Sequence, residues 1–133
     1  MEVRKGLTDE WQRSGIKKTE DFATLTDIMS KEWSGKTTRE YKNFKGLKKE
    51  NLRDNMTNME LVLNMLAEVS TTDLSKEKNP FGIDESAIIA RQGGSVAKAA
   101  RKQYESQSGK KVITPRNAKN KKSLNDEKSD DAE

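Results

Sequence analysis

The sequence contains neither cysteine nor histidine in 133 residues. Without cysteine there are no disulfides and no thiolate metal site, which fits a cytoplasmic setting. Without histidine the chain lacks the commonest general base and the commonest metal ligand. No apolar run approaches the roughly 20 residues needed to span a bilayer. The first residues are charged and no apolar signal region follows them, so nothing visible directs secretion or membrane insertion. Hydrophobic residues make up only 31% and charged residues 36%. The core must therefore be small, and part of the chain is too polar to bury what ordering costs. No segment shows the two-residue period of a strand, and no internal repeat is visible. The expected class is all-α, a small bundle of about five or six short helices read from helical spacing. The helical domain spans residues 1–118. Residues 119–133, with Leu124 as the one large apolar side chain, read as a disordered charged tail.

The stretch Thr38 to Val69 organises the rest. Its second half is the clearest helix. Thr57 stands three residues before Glu60, the spacing of a capping box, and Met56 and Leu61 have hydrophobic-staple spacing. Leu61, Val62, Met65, Leu66 and Val69 recur at helical intervals and are expected to face the core, with Leu63 and Met59 widening the stripe. This helix is expected to run towards Lys76, though Thr71, Thr72 and Asp73 weaken the extension by competing for backbone groups.

In chain order, residues 2–13 form a first helix with Val3, Leu7 and Trp11 on one face. Ser14-Gly15 ends it, with Ile16 folding back over that end. Thr19 is the expected cap of a second helix through Ser34, with Phe22, Leu25, Ile28, Met29 and Trp33 inward. Thr37 opens a third with Glu40 at capping-box spacing. Tyr41 and Phe44 or Leu47 face in there, while Arg39, Lys42 and Lys45 face out. After the turn at Asn79-Pro80, Asp84 is expected to cap a fifth helix. Gly93-Gly94 should break it, and Ser95 should cap a sixth helix to about Ser106. Val112 to Pro115 reads as an extended arm.

No catalytic set emerges. Serines, threonines, lysines and carboxylates are plentiful, but no nucleophile has an identifiable base, so the chain does not read as an enzyme. Gly93-Gly94-Ser95 lacks the preceding strand and the nucleotide-loop pattern, and reads as punctuation rather than a phosphate site. No cofactor and no metal is expected. Trp11, Phe22, Trp33, Tyr41 and Phe44 fall on apolar stripes, which favours core packing over base stacking.

Charge is where function is suggested. Residues 36–53 carry seven basic groups against two acidic, net +5, and residues 98–122 nine against one, net +8. Lys36, Arg39, Lys42, Lys45, Lys48, Lys49 and Arg53 are the first candidates for phosphate contacts. Lys110, Lys111 and Arg116 lead the second, as part of a flexible basic arm.

The run Tyr41-Lys-Asn-Phe-Lys-Gly-Leu-Lys-Lys-Glu-Asn-Leu-Arg-Asp54, with Met56-Thr-Asn-Met-Glu-Leu61, Leu7-Thr-Asp-Glu-Trp11, Gly93-Gly-Ser-Val-Ala-Lys-Ala-Ala-Arg101, Gly109-Lys-Lys-Val-Ile-Thr114 and Asn117-Ala118, resembles a known family. It is similar to the C-terminal region of prophage BRO-domain, antirepressor-type proteins, shared with the DNA-damage-inducible protein D group. In that family a BRO domain associated with DNA binding precedes this region, and the present chain starts where the linker after it would lie. The resemblance implies a non-enzymatic regulatory module, of phage or damage-response type, acting on DNA or a DNA-bound protein. The alternative is a helical assembly module without nucleic-acid contact, including a homo-oligomer. Its motive is the set of large apolar residues Trp11, Met29, Trp33, Met59 and Met65 on short helices.

Overall fold

The computed structural model describes residues 3–118. Among them five α-helices and one 3-10 turn account for all regular structure: α1 Val3–Arg13, α2 Thr19–Ser34, α3 Thr38–Phe44, the turn Arg53–Asn55, α4 Asn58–Lys78 and α5 Gly82–Ser108. The all-α expectation holds. The predicted tail from 119 lies outside the described residues.

Local chemistry explains most boundaries. Thr57 and Glu60 form the reciprocal cap, Glu60 N–H to Thr57 Oγ1 at 3.3 Å and Thr57 N–H to Glu60 Oε1 at 2.9 Å. Thr37 and Glu40 repeat the device at α3, at 3.2 and 2.8 Å. Two expected caps are corrected. Thr19 is already inside α2, whose cap position is Lys18 and has no side-chain cap bond. Asp84 lies in the first turn of α5, which begins after Phe81. The Phe81 N–H is instead taken by the Glu85 carboxylate at 2.8 Å.

The largest correction is that Gly93-Gly94 breaks nothing. The expected fifth and sixth helices are one helix of 27 residues, and Ser95 sits inside it, its hydroxyl donating to Gln92 O at 2.7 Å. The glycines serve helix crossing. A Cβ built on Gly93 would lie 1.8 Å from Thr71 Oγ1 and 2.7 Å from the Thr71 backbone. One on Gly94 would lie 2.8 Å from Met29 O. Thus α5 crosses α4 on one side and α2 on the other at backbone-contact distance, where only glycine fits.

The buried face of α4 also differs from the apolar stripe. Leu63 and Ala67 are buried, together with Glu60, Glu68, Thr71, Thr72 and Ser75. Leu61, Met65 and Leu66 are half-buried and Val62 is exposed. Ser75 Oγ donates across to Glu10 Oε1 of α1 at 2.8 Å, Thr72 Oγ1 donates back to Glu68 O of its own helix at 2.8 Å, and Thr71 packs into the space left at Gly93. Thr71 and Thr72 therefore do not shorten α4, which runs to Lys78.

The largest side chains of the apolar core come from α1, α2 and α3, and it is completed by Met56 before α4, Leu63 and Ala67 of α4, Ala90 and Ala97 of α5, and Val112. Leu7, Trp11, Leu25, Met29, Trp33 and Tyr41 are all essentially inaccessible. Trp11 lies against Phe22 and Trp33 against Tyr41, each pair with ring centroids 6.2 Å apart and tilted. Ile16 folds back as expected, its N–H donating to Trp11 O at 3.0 Å. Phe44 is an exception, 41% exposed.

Candidate nucleic-acid interface

α3 is only seven residues long, so its two faces separate sharply. Arg39 and Lys42, three apart, share the outer face. Tyr41 and Lys45, four apart, turn inward and are wholly buried. From the outer face a basic cleft extends over the neighbouring elements. It comprises two adjoining hollows of about 650 and 310 Å³, which share Arg4, Thr26, Thr38 and Lys42. Asp27, Arg39 and Lys48 line the wider one, and Arg53 and Glu68 the narrower. The walls are α1, α2, α3, the connector after α3, and α4.

The cleft carries five cations, Arg4, Arg39, Lys42, Lys48 and Arg53, against two carboxylates, Asp27 and Glu68. Asp27 is used structurally, accepting the Thr38 N–H at 3.1 Å. Glu68 is paired, 2.5 Å from Arg53 and 3.7 Å from Arg4. Arg4 also donates to Thr26 Oγ1 at 2.7 Å and lies 5.4 Å from the Trp11 ring centroid. Burial pulls the Arg4 guanidinium below its ordinary value, with the Glu68 charge opposing that and the Arg53 charge adding to it. Arg39, Lys42 and Lys48 form no ion pair among the described residues. Their charge is available to an anion outside the chain.

Of the ten basic residues predicted from sequence, Arg39, Lys42, Lys48 and Arg53 are thus brought together. The other six are placed elsewhere. Lys36 lies over the Phe44 ring at 4.5 Å, and Lys49 is exposed outside the cleft lining. Lys110 and Lys111 line a separate hollow beyond α5 with Lys102 and Glu105. Arg4 stands in a segment of net charge −1, so charge patterning alone does not single it out. Its signal is helical spacing to Leu7 and Trp11.

Lys45, expected on the outer face, is corrected outright. Its Nζ lies 2.8 Å from Glu60 Oε1 and donates to the carbonyls of Thr114 at 2.7 Å and Arg116 at 2.5 Å. Tyr41 Oη donates to Glu60 Oε2, and the Thr114 N–H approaches the same oxygen at 3.4 Å. Burial, followed by the Glu60 charge, pushes the Tyr41 phenol far above its usual range. Asn117 Nδ2 donates to Lys45 O at 2.6 Å, and the Ala118 N–H to Asn55 Oδ1 at 2.8 Å. Residues 112–118 are therefore a strap fastened to α3 and α4 rather than a free arm, and Arg116 is part of it, half-buried.

Among the described residues no three acidic side chains group as metal ligands would, and no helix is long and apolar enough to cross a membrane. No family model matches the chain, and no curated protein or solved structure matches it either.

Proposed function

We propose that this chain is a non-enzymatic regulatory module of the phage antirepressor or DNA-damage-inducible type, and that it acts by holding the phosphate backbone of DNA across the basic cleft. The observation that carries this reading is the convergence of Arg4, Arg39, Lys42, Lys48 and Arg53 on one concave surface, with three of these cations unpaired. Such groups replace the counterions of a polyanion, and their release supplies the binding free energy. The resemblance of Tyr41 to Asp54 to a family associated with DNA supports the same reading, since that run contributes three of the five cations, Lys42, Lys48 and Arg53.

The alternative, an assembly module without nucleic-acid contact, draws support from the exposed apolar side chains Val62, Phe81 and Ile88. The residues that first motivated it fare differently. Trp11, Met29 and Trp33 are covered by the chain's own core, so they call for no second subunit.

The test is anisotropy of labelled duplex and single-stranded DNA titrated with protein at low salt. Binding at micromolar protein that weakens steeply as salt rises is the expected result. Absence of binding at micromolar protein removes direct DNA contact and leaves a DNA-bound protein or an assembly partner.

A further inference from the structure

The strap ends against the wall of the cleft. The Ala118 N–H donates to Asn55 Oδ1 at 2.8 Å, and Asn55 Nδ2 donates to Asn51 O at 2.7 Å. Asn51 and Arg53 line the narrower hollow. The chain is thus led away from the hollow of Lys102, Lys110 and Lys111 and delivered beside the cleft. Beyond this point the sequence first stays basic, with Lys119, Lys121 and Lys122, and then turns acidic. Residues 123–133 carry Asp126, Glu127, Asp130, Asp131 and Glu133 against Lys128 alone, net −4. Asp126 stands eight positions past Ala118, a reach of about 26–29 Å in extended chain. Seven-residue α3, which carries Arg39 and Lys42, is only about 10 Å long. The acidic segment therefore reaches the α3 cations from its anchor at Asn55.

We propose that this acidic segment occupies the basic cleft when no nucleic acid is bound, and so competes with DNA for Arg39, Lys42 and Lys48. The competition rests on the proposed phosphate reading of the cleft, whereas the contact itself rests on charge and on the tether. Both carboxylates that line the cleft are committed, Asp27 to the Thr38 N–H and Glu68 to Arg53 and Arg4. Arg39, Lys42 and Lys48 are left without counter-charge from the described residues. A carboxylate offers a lysine or a guanidinium the same kind of charged acceptor oxygen as a phosphate does. A concave surface of one sign focuses its field and raises the local concentration of the opposite charge. Exposed ion pairs are individually weak, but a short tether holds the segment at about millimolar effective concentration, where weak contacts suffice. Lys119, Lys121 and Lys122 share the sign of the cleft, so they serve as the spacer and the acidic residues as the occupant.

The test is zero-length carbodiimide crosslinking of the full chain, mapped by mass spectrometry in the monomer band. DNA titrations accompany it, comparing wild type with a full-length variant carrying Asp126→Asn, Glu127→Gln, Asp130→Asn, Asp131→Asn and Glu133→Gln. At low salt the acidic segment should crosslink to Lys42 or Lys48, and high salt should remove those links as screening shortens. The neutralised variant should melt near wild type and bind DNA roughly three- to tenfold tighter at low salt, as expected when a segment at about millimolar effective concentration is lost as a competitor. The two proteins should converge as salt rises. Links confined to Lys102, Lys110 and Lys111, or found only between two chains, overturn the proposal. So does tighter DNA binding without any link to the cleft, which is an effect of net charge alone. Links to Lys42 or Lys48 with equal DNA affinity in both proteins overturn the competition. Links to Lys42 or Lys48 with no DNA bound by either protein support the contact and overturn the DNA reading. Equal DNA binding without those links does the reverse.

Discussion

Lys45 Nζ lies 2.8 Å from Glu60 Oε1, and both side chains have no exposed surface. Glu60 thus caps α4 and neutralises a buried lysine at once, and that lysine fastens the strap through two carbonyls. Removing one member leaves an uncompensated buried charge, which costs about 3–5 kcal/mol. Small domains commonly have only about 5–15 kcal/mol in total. Lys45→Ala should therefore melt far below wild type, and its strap should be cut by trypsin before the helices are. Lys45→Met with Glu60→Gln should recover part of the loss, since no lone charge remains and the cap acceptor is kept. Melting curves and timed digestion of the variants check this.

This pair also marks where sequence reading stops. Thr57 and Glu60 were legible because capping is a local pattern. The helix starts at Thr37 and Thr57 and the burial of Trp11, Met29 and Trp33 followed from spacing alone. Lys45 was not legible, because its place is set by carbonyls some 70 positions away. The same holds for Gly93 and Gly94. A glycine pair that ends an isolated helix is indistinguishable in sequence from one that lets two helices touch. Of the cleft, the α3 and connector cations were visible as a charge block, while Arg4 and Glu68 arrive from other helices by tertiary packing.

Gly93 and Gly6 are both helical glycines with opposite surroundings. Nothing lies within 4 Å of a Cβ on Gly6, whereas one on Gly93 meets the Thr71 side chain and backbone. Gly6→Ala should stabilise by roughly 0.5–1 kcal/mol through lower chain entropy. Gly93→Ala should destabilise by about 1–3 kcal/mol or more, because overpacking outweighs that gain. Chemical denaturation of the two variants should shift their midpoints in opposite directions.

On α4, Leu63 is the buried leucine and Leu66 a half-buried one. Leu63→Ala should cost about 2–5 kcal/mol. Leu66→Ala should cost only about 1–2 kcal/mol, as part of its side chain stays wet in the fold. Equal losses would mean that the face of α4 is rotated from the one described.

Tyr41 gives a pH dependence of definite sign. Its folded phenol titrates far above the ordinary value of 10.0. The unfolded chain therefore loses this proton first as pH rises. The stabilisation is fully present below pH about 10 and declines above it, by at most about 1.4 kcal/mol per pH unit. Denaturation midpoints should fall in this window for wild type. Tyr41→Phe should flatten that part of the curve while lowering stability throughout, since Glu60 loses a donor.

The most direct test of the cleft is the salt dependence of DNA binding by Arg39→Ala/Lys42→Ala/Lys48→Ala against wild type. These side chains form no ion pair among the described residues, so the triple variant should melt near wild type. It should bind every DNA sequence more weakly, and the slope of log affinity against log salt should shrink by about 2–3, close to one per lost phosphate contact. Lys110→Ala/Lys111→Ala, outside the cleft, should keep the wild-type slope. A triple variant with wild-type affinity and slope would contradict the account.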